Sequence, residues 1–214
     1  MPGDAPPRLK RVFDLALAVP ALALLLPVAA VIALLVRATV GRPVLFRQSR
    51  PGLRGRPFDI LKFRTMTDAR DAAGRLLPDE RRLGRVGRVL RSTSLDELPE
   101  LVNVLRGEMS LVGPRPLLLT YLDRYAPWQA RRHEVRPGIT GLAQVSGRNL
   151  LSWDERFALD VWYVDNWSLA LDMKIMLKTI GKVLVRHGIS QSGRDTVDEF
   201  MGSSSPDPGV GPRS

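Results

Sequence analysis

Two adjacent carboxylates, Asp96 and Glu97, lie in the segment Arg91-Ser92-Thr93-Ser94-Leu95-Asp96-Glu97-Leu98-Pro99-Glu100-Leu101 and are the chain's best material for covalent chemistry. A carboxylate can attack phosphorus and form an acyl phosphate, which splits one group transfer into two easier displacements. Such a reaction needs cationic groups against a diphosphate, commonly with a divalent ion. Adjacent carboxylates suit Mg2+, which takes few protein ligands and keeps several waters. The candidate cationic groups are Lys62 and Arg64 in Lys62-Phe63-Arg64-Thr65-Met66, Arg91 just ahead of the dyad, and Arg115 between Pro114 and Pro116. A guanidinium carried on a stiff backbone forms bidentate phosphate bonds at lower entropic cost. The same segment also reads as an ordinary helix start. Pro99 is tolerated only in a first turn, which places the start within residues 94–96. Either a Ser94–Glu97 capping box or an Asp96 cap would then serve the helix, with both acids favoured by its dipole.

Other chemistries find little material. There is no cysteine, which excludes disulfides, thiolate metal sites and cysteine nucleophiles, and only His133 and His187 are available for histidine chemistry. The sequence contains no Walker lysine loop, dinucleotide glycine fingerprint, paired-histidine zinc motif, Gly-x-Ser-x-Gly elbow or Asp-x-Asp triplet.

The elements that must hold the dyad begin with Leu15–Val36, 22 residues without a charge. As a helix this run reaches roughly 33 Å, enough to cross a bilayer core of about 30 Å. Pro20 and Pro27 interrupt it, and positive charge flanks both ends: Arg8, Lys10 and Arg11 before, Arg37, Arg42 and Arg47 after. Basic flanks prefer the cytoplasmic face, so the run is expected to enter the membrane, bend near Pro27 and return. A straight span, a signal peptide and a buried helix are the competing readings. The net charge of +10 points the same way, because residues 1–95 hold 18 of the 32 Lys/Arg and only 7 of the 22 Asp/Glu. One-sided basicity implies a polyanionic partner: a nucleic acid, an anionic membrane face or a phosphorylated substrate.

Residues 44–63 read as a β-hairpin around the turn-rich Arg50–Gly55, and residues 67–91 as short helices joined by a mobile loop. Residues 95–106 and 117–132 have helical patterns, and Gly138–Asn149 reads as glycine-rich loop or strand. Residues 153–187 form one or two helices, whose Leu169, Met173, Met176, Leu177, Ile180, Val183 and Leu184 would face either the core or a membrane interface. The expected fold class is α+β, mostly helical with a small β-hairpin. It carries a re-entrant membrane helix over residues 1–40, a catalytic domain over 41–200 and a disordered tail over 201–214.

Several motifs stand in one order: Lys10-Arg11-Val12-Phe13-Asp14, Phe46-Arg47-Gln48-Ser49-Arg50-Pro51-Gly52, Lys62–Met66, Ser94–Leu101, Gly113-Pro114-Arg115-Pro116, Arg136-Pro137-Gly138-Ile139-Thr140-Gly141 and Gln144–Asn149. In this the chain resembles the bacterial sugar transferase family, the small monotopic phosphoglycosyl transferases that initiate glycan assembly, from about Lys10 to Ser190. The resemblance implies transfer of a sugar-1-phosphate from a UDP-sugar to a polyprenyl phosphate at the cytoplasmic face of the bacterial inner membrane. It implies Asp96 as nucleophile, Glu97 as its assistant, and Mg2+ at both. Lys62, Arg91 and Arg115 fall where the family holds phosphates, Arg148 where it meets the uridine end, and Pro27 where the membrane helix breaks. The family commonly has serine before that proline, whereas Leu26 stands here. Membrane lipids are the further partner implied, and nucleic acid is not. A membrane-tethered basic module that binds nucleic acid or anionic lipid without catalysis is the rival from another class, and it leaves the dyad unexplained.

Overall fold

The computed structural model describes residues 7–147, 151–185 and 199–202. Arg148 and the tail from residue 203 onward lie outside the described residues. The expected mostly helical chain with a small sheet is what the structure shows. Eight α-helices, two two-stranded sheets and short 3-10 turns are seen among the described residues.

Helix α1 (Pro7–Thr39) is one continuous α-helix with Pro20 and Pro27 inside it, so the expected break at Pro27 does not interrupt the helix. A stripe at helical spacing faces the rest of the protein. Ala18, Ile32 and Val36 are buried, and Ala21, Leu22, Leu25, Ala29, Ala33 and Val40 pack beside them. From Ala18 to Val40 this contact follows the helix for roughly 33 Å. The opposite face is apolar and exposed, with Val19, Leu24, Leu26, Val31 and Leu34 each more than half exposed. The helix's first turns are fastened by polar contacts. Lys10 Nζ lies 2.6 Å from Asp172 Oδ2, Arg11 donates to the carbonyls of Val104 and Leu105, and Asp14 accepts from Ser110 Oγ and Leu111 N. Asp14 and Asp172 are both buried, and these partners are what makes their burial tolerable.

The expected hairpin is present as β1 (Leu45–Pro51) antiparallel to β2 (Pro57–Phe63), with Leu45 opposite Phe63 and Pro51 opposite Pro57. A second sheet was not legible as such: β3 (Ser110–Val112) runs parallel to β4 (Gly138–Thr140), inside the segment read as loop or strand. Two short helices, α2 (Asp79–Arg82) and α3 (Arg85–Thr93), fill the basic stretch, and α4 spans Glu100–Arg106. The helix expected over 117–132 is instead three pieces: a 3-10 turn at Leu119–Arg124, α5 (Pro127–Ala130) and a 3-10 turn at Arg131–Glu134. Pro127 lacks the N–H that would join them. Helix α6 (Leu142–Ser146) follows β4, and residues 153–185 form two helices, α7 (Trp153–Asp165) and α8 (Leu169–Val185).

On α8 the core face is not the expected stripe. Asp172 and Ile175 are buried, whereas Met173, Leu177 and Ile180 are exposed. Phe200 is buried against Tyr121, Tyr125, Trp153 and Phe157, and so anchors the far end of the described chain.

Candidate active site

The turn that carries the dyad is made by its flanks. Helix α3 ends at Ser94, which adopts the left-handed conformation (φ 57°) and redirects the chain into a 3-10 turn over Leu95–Glu97. A serine there is conformationally costly, and it lies at the cleft that holds the dyad. Leu95 and Leu98 pack with Phe63, Leu90, Ile32 and Val36, so the turn's apolar side rests against α1 and β2. Asp96 and Glu97 line the cleft instead.

The expected capping arrangement is not formed. No side chain caps α4, whose N-cap is Pro99, and Ser94 closes α3 and opens the 3-10 turn without a side-chain cap bond. Glu97 is engaged elsewhere. Its Oε1 lies 2.6 Å from both Lys62 Nζ and Arg115 Nη2. Lys62 also reaches Glu100 Oε1 at 3.1 Å, which makes a third carboxylate part of the cluster. The hairpin is held to α4 by buried Asn103, which accepts from Leu61 N (3.0 Å) and donates to Asp59 O (2.8 Å). That clamp sets the register of Lys62 against the dyad.

Charge divides unequally between the neighbours. Burial by itself would raise the Glu97 carboxyl, but Arg115 and Lys62 outweigh it and hold Glu97 well below the usual range. Asp96 is pushed the other way, to about 6, by burial and then by the charge of Glu97. Among the described residues no hydrogen bond or ion pair reaches the Asp96 side chain. Glu100 is raised by burial and by Glu97, and Arg115 is held protonated chiefly by Glu97. A poised, unpaired carboxylate beside a doubly held one is an arrangement suited to nucleophilic attack on an anion.

The remaining expected residues fall into place unevenly. Arg91 lines the cleft and donates from Nε to Thr65 Oγ1 at 3.1 Å. Arg64 also lines it, but its guanidinium pairs with Asp68 and donates to the Arg42 carbonyl, not to the dyad. Arg115 rides on Gly113-Pro114-Arg115-Pro116 where three glycines meet. A Cβ on Gly138 would stand 2.1 Å from Gly113 N, and one on Gly141 2.2 Å from Gly113 O, so side chains there would force the loop outward. The sequence reading missed Glu100, Asn103, Arg132 and Asp160. Glu100 stands one turn beyond Glu97 in a quoted motif and could have been found; the others carry no local signal.

The cleft, of about 1840 Å³, has two kinds of wall. Ala21 and Leu25 of α1 with Met176, Ile180 and Val183 of α8 supply an apolar side, and Arg47, Arg88, Arg91 and Arg115 a basic one.

A family model described as bacterial sugar transferase matches residues 6–186. The "Uncharacterized sugar transferase EpsL" of Bacillus subtilis is 57% identical over 199 residues, which cover 91% of this chain and 96% of that protein. The "UDP-glucose:undecaprenyl-phosphate glucose-1-phosphate transferase" of Caulobacter vibrioides is 45% identical over 199 residues, covering 86% of this chain and 74% of its own. The "Exopolysaccharide production protein ExoY" of Sinorhizobium fredii is 41% identical over 196 residues, covering 84% and 87% respectively.

Proposed function

Because the chain belongs to the bacterial sugar transferase family, we propose that it moves a sugar-1-phosphate from a UDP-sugar to undecaprenyl phosphate, releasing UMP. The observation that carries this reading is Asp96, which no hydrogen bond or ion pair reaches among the described residues, beside a Glu97 that already holds Lys62 and Arg115. A cleft with one apolar and one basic wall suits an acceptor that is both isoprenoid and phosphate. The name carried by the Caulobacter relative supports the same donor and acceptor classes.

The reaction runs in two displacements. An Asp96 carboxylate oxygen attacks the β-phosphorus, the bond from that phosphorus to the bridging oxygen breaks, and UMP leaves with the electron pair. A phosphate oxygen of the acceptor then attacks the same phosphorus, and Asp96 departs as carboxylate, leaving the sugar on a polyprenyl diphosphate. Arg115 and Lys62, held by Glu97, face the charge that develops on the transferring group, and Arg91 lies along the same cleft. Arg148 is proposed for the uridine end and Arg64 for the outer phosphate path. Asp96 and Glu97 would hold Mg2+, which would neutralise diphosphate charge and draw Asp96 into its ionised form. Asp96, whose side chain no hydrogen bond or ion pair reaches among the described residues, is the group left to meet the ion, whereas Glu97 Oε1 is already held by Lys62 and Arg115. UMP release from a panel of UDP-sugars with undecaprenyl phosphate is expected, lost with EDTA and restored by Mg2+. No release from any donor would overturn the function, and indifference to chelation would overturn the metal.

The proposed membrane placement is supported by α1. The helix touches the catalytic domain from Lys10 to Val40 while its other face is apolar and exposed, and α8 adds Met173, Leu177 and Ile180. Both ends of α1 are therefore proposed to lie on the cytoplasmic side, with the middle dipping into the bilayer around Pro27 and α8 at the interface. Cysteines introduced by Asp4→Cys and Ser205→Cys should both be labelled only from the cytoplasm. Labelling of position 4 from outside would establish a span.

A further inference from the structure

Arg115 occupies an awkward piece of backbone. Pro114 and Pro116 on either side have no N–H, so the loop has few donors with which to fasten itself. Backbone bonds fasten its near side, with Gly113 N–H donating to Thr140 O and Gly138 N–H to Pro114 O, and the Arg115 carbonyl itself accepts from Arg132 Nη2 at 2.8 Å. Arg132 is 3% exposed and Asp160 4%, and Asp160 Oδ2 accepts from Arg132 Nε at 3.0 Å and from Nη2 at 2.7 Å. Nη1 donates to Tyr125 OH at 3.4 Å. The rings of Tyr125 and Phe157 lie 5.8 and 5.6 Å from the guanidinium carbon, and Phe200 packs on both rings. One guanidinium at the wall of the cleft thus grips a carboxylate on α7 and a carbonyl on the active-site loop, against two aromatic rings. A buried ion pair adds little net stability, which leaves room for a positioning role.

We propose that Arg132, braced by Asp160, is a positioning residue for Arg115, fixing the loop that aims the Arg115 guanidinium at Glu97 and at the donor diphosphate. This rests on the phosphoglycosyl transfer reading above. Positioning of this kind affects the rate because small displacements of an aimed cation forfeit much of its effect on the transition state. Lysine at 132 would keep the charge, but a single ammonium does not reproduce the planar fork.

The test is a double-mutant cycle on the full-length membrane enzyme, with kcat and donor KM read by UMP release. Arg132→Lys is expected to lower kcat/KM about tenfold when Arg115 is present, with the loss mainly in kcat, and less than about twofold in an Arg115→Lys background. Equal losses in both backgrounds would show that Arg132 acts by general stability and would overturn the proposal. If Arg132→Lys does not fold, Asp160→Asn, which keeps the side chain's shape, is carried through the same cycle and judged by the same criterion. Full activity in Arg115→Lys alone would instead overturn the placement of Arg115 at the donor, a failure of the underlying reading and distinguishable from the first.

Discussion

Asp96→Asn is expected to lower turnover by at least about 10³-fold and to abolish the covalent phosphosugar adduct, while making the protein more stable. Asparagine preserves the shape of the side chain but lacks the anionic oxygen proposed to attack phosphorus. The stability gain follows from the same environment. The folded Asp96 carboxyl titrates at about 6, above the ordinary 3.8, because burial and the Glu97 charge disfavour its ionised form. A raised carboxylate penalises the fold in full above about pH 6 and not at all below about pH 3.8. Asparagine removes that penalty, roughly 1–3 kcal/mol at pH 7.5, which corresponds to a rise in Tm of several degrees. The difference between the two proteins should shrink as the pH falls from 7.5 towards 4. Intact mass after incubation with donor, with melts at both pH values, checks both halves. Product formed at the normal rate by the asparagine variant, or a phosphosugar mass located elsewhere, would remove Asp96 as nucleophile.

Glu97→Gln is the second large effect, expected to cost about 10²–10³-fold in kcat. Glu97 is the anion that both Lys62 and Arg115 grip at 2.6 Å, so its loss frees two cations at once. Lys62 then settles on Glu100, already 3.1 Å away, and Arg115 loses its anchor. The consequence for Asp96 has a definite sign. The charge of Glu97 raises the Asp96 carboxyl, so removing it favours ionisation. In Mg2+-free protein the Asp96 midpoint, followed by 13C NMR of labelled aspartate, should therefore fall below about 6 in the variant. An unchanged or higher midpoint would mean that Glu97 does not act on Asp96 through charge. A wild-type kcat would mean that the cation pair is not aimed through Glu97.

Much of this was readable from local patterns. The uncharged Leu15–Val36 run foretold α1, because hydropathy over consecutive residues is a short-range property. Extended pieces on either side of the turn-rich Arg50–Gly55 foretold the β1–β2 hairpin for the same reason. Where signals conflicted, reading failed. Ser94 and Glu97 had the spacing of a capping box, yet the carboxylate went to Lys62 and Arg115, since two full charges outcompete a backbone N–H. Arg64 stands two residues from Lys62 in the chain, but it falls just past the end of β2, where its guanidinium pairs with Asp68 and the Arg42 carbonyl instead of the dyad. On α8, hydrophobic spacing located a helix but not which face was buried, because Asp172 faces inward only through its bonds to Lys10, Tyr163 and Trp167.

By itself the sequence determined which groups were on hand: an apolar helix with basic flanks, two adjacent acids, and several cations in stiff loops. The tertiary structure decided which cation serves which acid. Lys62 stands 35 residues from Glu97, Arg115 stands 18 away, and Arg132 meets Asp160 across 28. Coulomb energy depends on distance in space and on local burial, and neither is written in the spacing of residues along a chain.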